Sequence, residues 1–116
     1  MQTFKEKRLL ARIAVPELNG RLELEGNPRG VYVLDATEDG VCVGGTPIPV
    51  GDVVLVSFAH PGIDSEIALY AKAVWNSGDI KDNRSGLSFL HTNKILFKDD
   101  LLAFSRLIAD IRTSLN

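Results

Sequence analysis

Three cations fall within six residues near the start of the chain: Lys7, Arg8 and Arg12, in Lys7-Arg8-Leu9-Leu10-Ala11-Arg12. Arginine presents a planar fork of N–H donors that matches phosphate oxygens. The same fork matches the O6/N7 edge of guanine. Two arginines four residues apart can therefore grip one anionic ligand from a single turn or from an extended arm. A solvated basic arm, or arginines that cap a barrel through salt bridges, fits the same spacing. A second cluster, Asp35-Ala36-Thr37-Glu38-Asp39-Gly40, combines carboxylates, a hydroxyl and a glycine. A carboxylate can accept N–H bonds from a base edge, and the Thr37 hydroxyl can donate to a phosphate or hold the loop. Gly40 is expected to permit a positive φ and a tight turn. A polar β-turn with an Asx-type bond accounts for the same residues.

Both clusters need elements to present them. Residues 2–8 are mostly polar and show no clear strand period, which predicts a flexible basic arm over residues 1–12. Arg21-Leu22-Glu23-Leu24-Glu25 alternates strictly, as a half-buried strand does. Gly26 to Gly30 carries turn chemistry. Val31 to Leu34 is a short apolar strand that the Asp35–Gly40 cluster is expected to interrupt, and Val41-Cys42-Val43 resumes it. Further strands follow over Asp52–Phe58, Ile67–Trp75 and Gly86–Leu90. In the tail, Phe97, Leu101, Phe104, Ile108, Ile111 and Leu115 recur every three or four residues, tracing one face of an amphipathic helix. Asp99 and Asp100 early and Arg112 late suit its dipole. The expected fold is mostly β: one domain over residues 1–116, with a six-stranded antiparallel barrel over 19–91 and a C-terminal helix over 93–115.

Composition narrows the chemistry. The chain has 116 residues, of which 45% are apolar and 24% charged, enough for one continuous core. The formal net charge of −2 means that an anion must be met by a local cluster rather than by the global field. That charge and the small number of aromatics argue against a nucleic-acid-binding barrel. Cys42 is the single cysteine, so no internal disulfide can form. His60, His91 and Cys42 lie at scattered spacing, unlike a zinc site. An enzyme would have to use Asp35, Asp39 and His60, whose spacing matches no catalytic motif. The chain is therefore expected to be a non-enzyme without a cofactor or metal. No stretch approaches the ~20 apolar residues of a membrane span, and the first residues have no signal-peptide core, so a cytoplasmic location without membrane insertion is expected.

Taken together, Arg8 and Arg12 in RxxxR, then Asp35, Thr37 and Gly40 in DxTxxG, resemble the PilZ family, whose pattern is RxxxR followed by (D/N)xSxxG. The likeness continues through Gly51-Asp52, Ala73-Val74-Trp75, Gly86-Leu87-Ser88-Phe89 and the terminal helix, and so covers nearly the whole chain from Lys7. Thr37 stands where the family has serine, which keeps the hydroxyl and adds a methyl. The resemblance implies a PilZ-type β-barrel that binds cyclic di-GMP. Arg8 and Arg12 would clamp phosphate and guanine edges, Asp35 and Thr37 would meet the ligand from the barrel, and Gly40 would shape the loop. It implies that Lys7, just before the motif, favours a stacked ligand pair; a plain surface lysine is the alternative. Trp75 would stack on a guanine or pack at the barrel rim. Glu38 and Asp39 would weaken binding if they faced the site. A receptor of this kind would change the conformation of its N-terminal arm and signal to a protein effector. A degenerate interaction module that binds no cyclic di-GMP is the alternative.

Overall fold

The computed structural model describes residues 12–78 and 81–114. Its six strands are β1 (Asn19–Leu24), β2 (Asn27–Thr37), β3 (Gly40–Gly44), β4 (Val53–Ala59), β5 (Ile67–Asn76) and β6 (Ser85–Phe89). All pairings are antiparallel, and the order β1-β2-β3-β6-β5-β4 closes because β1 also pairs with β4. The closing seam is short, three pairs from Asn19↔Ala59 to Arg21↔Ser57. The mostly β barrel with a C-terminal helix is the fold expected from the sequence.

Period-two patterning builds the core. Val31, Val33, Val41, Val43, Val54, Val56, Leu69, Ala71, Ala73 and Leu87 point inward and are buried. The tail forms two helices rather than one, α1 (Asn93–Leu96) and α2 (Lys98–Ser114), with Phe97 between them outside helical geometry. Phe104, Leu107 and Ile108 are the buried face of α2. Phe104 plugs the barrel against Phe58 and Phe89, at centroid distances of 5.2 and 5.0 Å. Leu115 lies outside the described residues.

Helix and barrel are also joined by polar bonds. Strand β5 starts before its partner β6 ends, which leaves backbone groups to be satisfied. Asn93, fully buried, accepts from the Tyr70 N–H through Oδ1 (2.8 Å) and donates to the Tyr70 carbonyl through Nδ2 (2.9 Å). Asp100 accepts the Ala68 N–H at 2.7 Å. Asp100 thus serves a strand as well as the helix dipole.

Two turns differ from the expectation. The β1–β2 turn is only Glu25-Gly26, both at positive φ (53° and 80°), which matches the twist of a two-residue hairpin. Residues 27–30, expected as turn, belong to β2 because they pair with β1 through Leu24↔Asn27 to Arg21↔Gly30. Strand β2 also runs on through Asp35 to Thr37 instead of breaking at Leu34. A bulge at Leu34 shifts the register, and Asp35, Ala36 and Thr37 pair with Cys42, Val41 and Gly40.

Candidate functional site

The segment before β1 continues the covering of β2. Ile13 and Ala36 exchange backbone bonds of 3.0 and 2.9 Å, and the Val33 N–H donates to Leu18. Ile13 packs against the core, and Val15 and Leu18 are buried in it. Arg12, one residue before this bridge, is exposed, and its Nη1 donates to Asp35 Oδ1 at 3.3 Å. Arg12 of the first cluster therefore meets Asp35 of the second, across a separation of twenty-three positions. Side-chain exposures of 53% and 34% make this a weak pair, worth about 0.2–1 kcal/mol. Lys7 and Arg8 lie outside the described residues.

Register decides what shares the outer face with Asp35. One cross-strand row runs Asp35, Cys42, Gly86, Trp75, and the next runs Thr37, Gly40, Ser88, Lys72. In the second row Ser88 and Lys72 are exposed and Thr37 and Gly40 partly so; in the first, Asp35 and Trp75 are partly exposed while Cys42 and Gly86 are buried. Between their walls lies a shallow groove of about 230 Å³ bordered by Arg12, Thr37, Asp39, Gly40 and Ser88. Thr37 Oγ1 accepts the Asp39 N–H at 3.1 Å, which holds the hairpin turn and leaves the hydroxyl hydrogen available to a ligand. The Asp39 carbonyl accepts from the Phe89 N–H at 2.9 Å and fixes the turn to the end of β6.

Gly40 serves differently from the expectation. It is not at positive φ; among the described residues the positive-φ glycines are Gly26, Gly45, Gly51 and Gly78. A Cβ at Gly40 would overlap the Leu87 carbonyl oxygen, so close approach of β3 to β6 is what demands glycine there. Gly86 is constrained in the same way: a Cβ would run into the Trp75 indole. Trp75 is half-buried and rests on Gly86 in the row beside the groove, whereas Val74, in the bulge of β5, is half exposed and borders the groove.

The two acidic neighbours separate. Glu38 Oε2 accepts from Arg112 Nη1 at 2.6 Å, with both side chains 27% exposed, so Glu38 is committed to the end of α2. Asp39 is exposed and borders the groove, where its charge opposes an anion. Behind the site, burial pushes the Cys42 thiol above its ordinary range, and the nearby Asp35 carboxylate pushes it further in the same direction. The Arg84 guanidinium, just before β6, is held protonated more firmly by its 2.7 Å pair with Asp82.

Sequence reasoning missed Ser88, Val74 and the Glu38–Arg112 pair. Ser88 alternates between apolar residues in Gly86-Leu87-Ser88-Phe89, a signal for an outward position. Neither the β5 bulge nor a contact between residues 38 and 112 has a local signal.

No protein-family model matches the chain, and no curated protein matches it. Among the solved structures that match, the crystal structure of an uncharacterized Legionella protein superposes with a TM-score of 0.58. The match covers 90% of this chain and 96% of that one, at 17% identity.

Proposed function

We propose that this chain is a PilZ-type receptor for cyclic di-GMP that signals to a protein effector. The observation that carries this reading is the contact between Arg12, the second arginine of RxxxR, and Asp35, beside a groove bordered by Arg12, Thr37 and Gly40. An anion there is offered the fork of Arg12, the hydroxyl of Thr37 and a floor opened by Gly40. Breaking the exposed Arg12–Asp35 pair costs about 0.2–1 kcal/mol. A hydrogen bond to a charged phosphate contributes about 1.5–3 kcal/mol, so exchange favours the ligand. Once Arg12 leaves Asp35, the carboxylate is free to accept from a guanine edge. Arg8, on the same arm, supplies the second fork. Binding at Arg8 and Arg12 changes the conformation of the N-terminal segment and therefore the surface an effector meets. The chain acts through binding rather than catalysis.

Isothermal titration with cyclic di-GMP, with GTP and cyclic di-AMP as controls, tests this reading. Selective, saturable binding is expected, and its stoichiometry separates one ligand from a stacked pair. Absence of heat at high ligand concentration, together with unchanged amide shifts around Asp35, leaves the interaction module without a nucleotide.

A further inference from the structure

Beyond the residues of the two motifs, the groove has a second wall. Thr37 pairs with Gly40, Gly40 with Ser88, and Ser88 with Lys72, so the four stand in one row across β2, β3, β6 and β5. Adjacent strands are ~4.8 Å apart, which sets Thr37 and Ser88 about 10 Å from each other at the backbone, with Lys72 one strand further. Nothing projects between Thr37 and Ser88, because Gly40 has no side chain and can accept none. Ser88 is exposed and borders the groove, and Lys72 beside it is exposed and makes no ion pair among the described residues. Arg12, by contrast, stands on the Thr37 side and is engaged with Asp35.

A ring that carries two phosphates on opposite sides needs donors on opposite sides. We propose that Ser88 and Lys72 hold the second phosphate of a cyclic dinucleotide whose first phosphate lies at Arg12 and Thr37. The ligand then spans β3 and β6 over Gly40, and its phosphates become chemically distinct although they are equivalent in free solution. This inference rests on the cyclic di-GMP reading above. It assigns binding roles to residues that lie outside both arginine and aspartate motifs, and it makes the β5–β6 side of the barrel part of the recognition surface.

Titration and ³¹P spectra with cyclic di-GMP test it, using the full chain and its Lys72→Gln, Ser88→Ala and Lys98→Gln variants. Lys98→Gln removes one positive charge from α2, outside the groove. The expected result is two ³¹P resonances in the wild-type complex, about tenfold weaker binding by Lys72→Gln and about threefold weaker by Ser88→Ala. Lys98→Gln should match the wild type, and Lys72→Gln should move one of the two resonances. A wild-type chain that binds, with Lys72→Gln and Ser88→Ala binding equally well and neither resonance moved, overturns the second wall alone. A wild-type chain that does not bind overturns the receptor reading and this inference with it.

Discussion

Of two grooves on the barrel surface, one at the helix and one at Thr37, the larger is the less suited to an anion. The groove between the β4–β5 connection and α2 has a volume of about 450 Å³, against about 230 Å³ for the groove at Thr37 and Ser88. Its border carries Asp64, Glu66, Asp99, Asp100 and Asp110, with Arg106 the basic side chain among them. Glu66 is already engaged by Arg21 at 2.8 Å, and Asp100 by the Ala68 N–H. Like charges so arranged repel a phosphate, whereas the smaller groove offers a guanidinium, two hydroxyls and a glycine floor. Room for a ligand is set by how elements pack; the sign of what enters is set by the side chains at the border.

The contrast can be broken most forcefully at the floor of the smaller groove. Gly40→Ala should destabilise the fold by about 2–3 kcal/mol, because its methyl meets backbone rather than a side chain that can turn away. Urea unfolding measures this, and a variant within about 0.5 kcal/mol of wild type would show that β3 and β6 can part without cost. Next in size, Arg12→Ala should lower cyclic di-GMP affinity by about 1.5–3 kcal/mol while changing stability by less than about 1 kcal/mol. Equal affinity in the titration would remove Arg12 from the site.

The acidic groove should respond in the opposite manner. Asp100→Ala is expected to lose about 1 kcal/mol of stability with the Ala68 bond and to leave nucleotide affinity unchanged. A change in affinity would contradict the separation of the two grooves. A smaller effect is expected from Asp39→Asn, which takes a negative charge from the border of the site and should tighten binding about twofold to threefold. Weaker binding by that variant would mean that Asp39 contacts the ligand directly.

The smallest effect concerns pH. Burial, then Asp35, raises the thiol pKa of Cys42 in the folded chain, so the unfolded chain ionises first. The stability this provides is present in full below the ordinary thiol range, near pH 8.5, and is lost as pH rises through the folded value. Unfolding free energies of wild type and Cys42→Ala, compared on both sides of that range, should diverge only on the alkaline side. Parallel pH profiles would show that Cys42 ionises alike in both states.

Much of this architecture was legible in the residues. Alternation in Arg21–Leu24 and Ile67–Trp75 marked strands because one side of a barrel wall meets the core and the other meets water. The spacing of Phe97, Leu101, Phe104 and Ile108 marked the helix for the same reason. The arginine and aspartate clusters were visible as residue types at set spacings. Their meeting was not, since nothing local to Arg12 or Asp35 states that Ile13 will bridge to Ala36. Tertiary structure also decided the reason for Gly40, the direction of Glu38 toward Arg112 and the row that joins Thr37 to Ser88 and Lys72. Pattern within a segment reports which side is buried, because burial repeats with the local backbone period. Which segments become neighbours depends on register and bulges across the closed sheet, and those are settled only when all six strands pair at once.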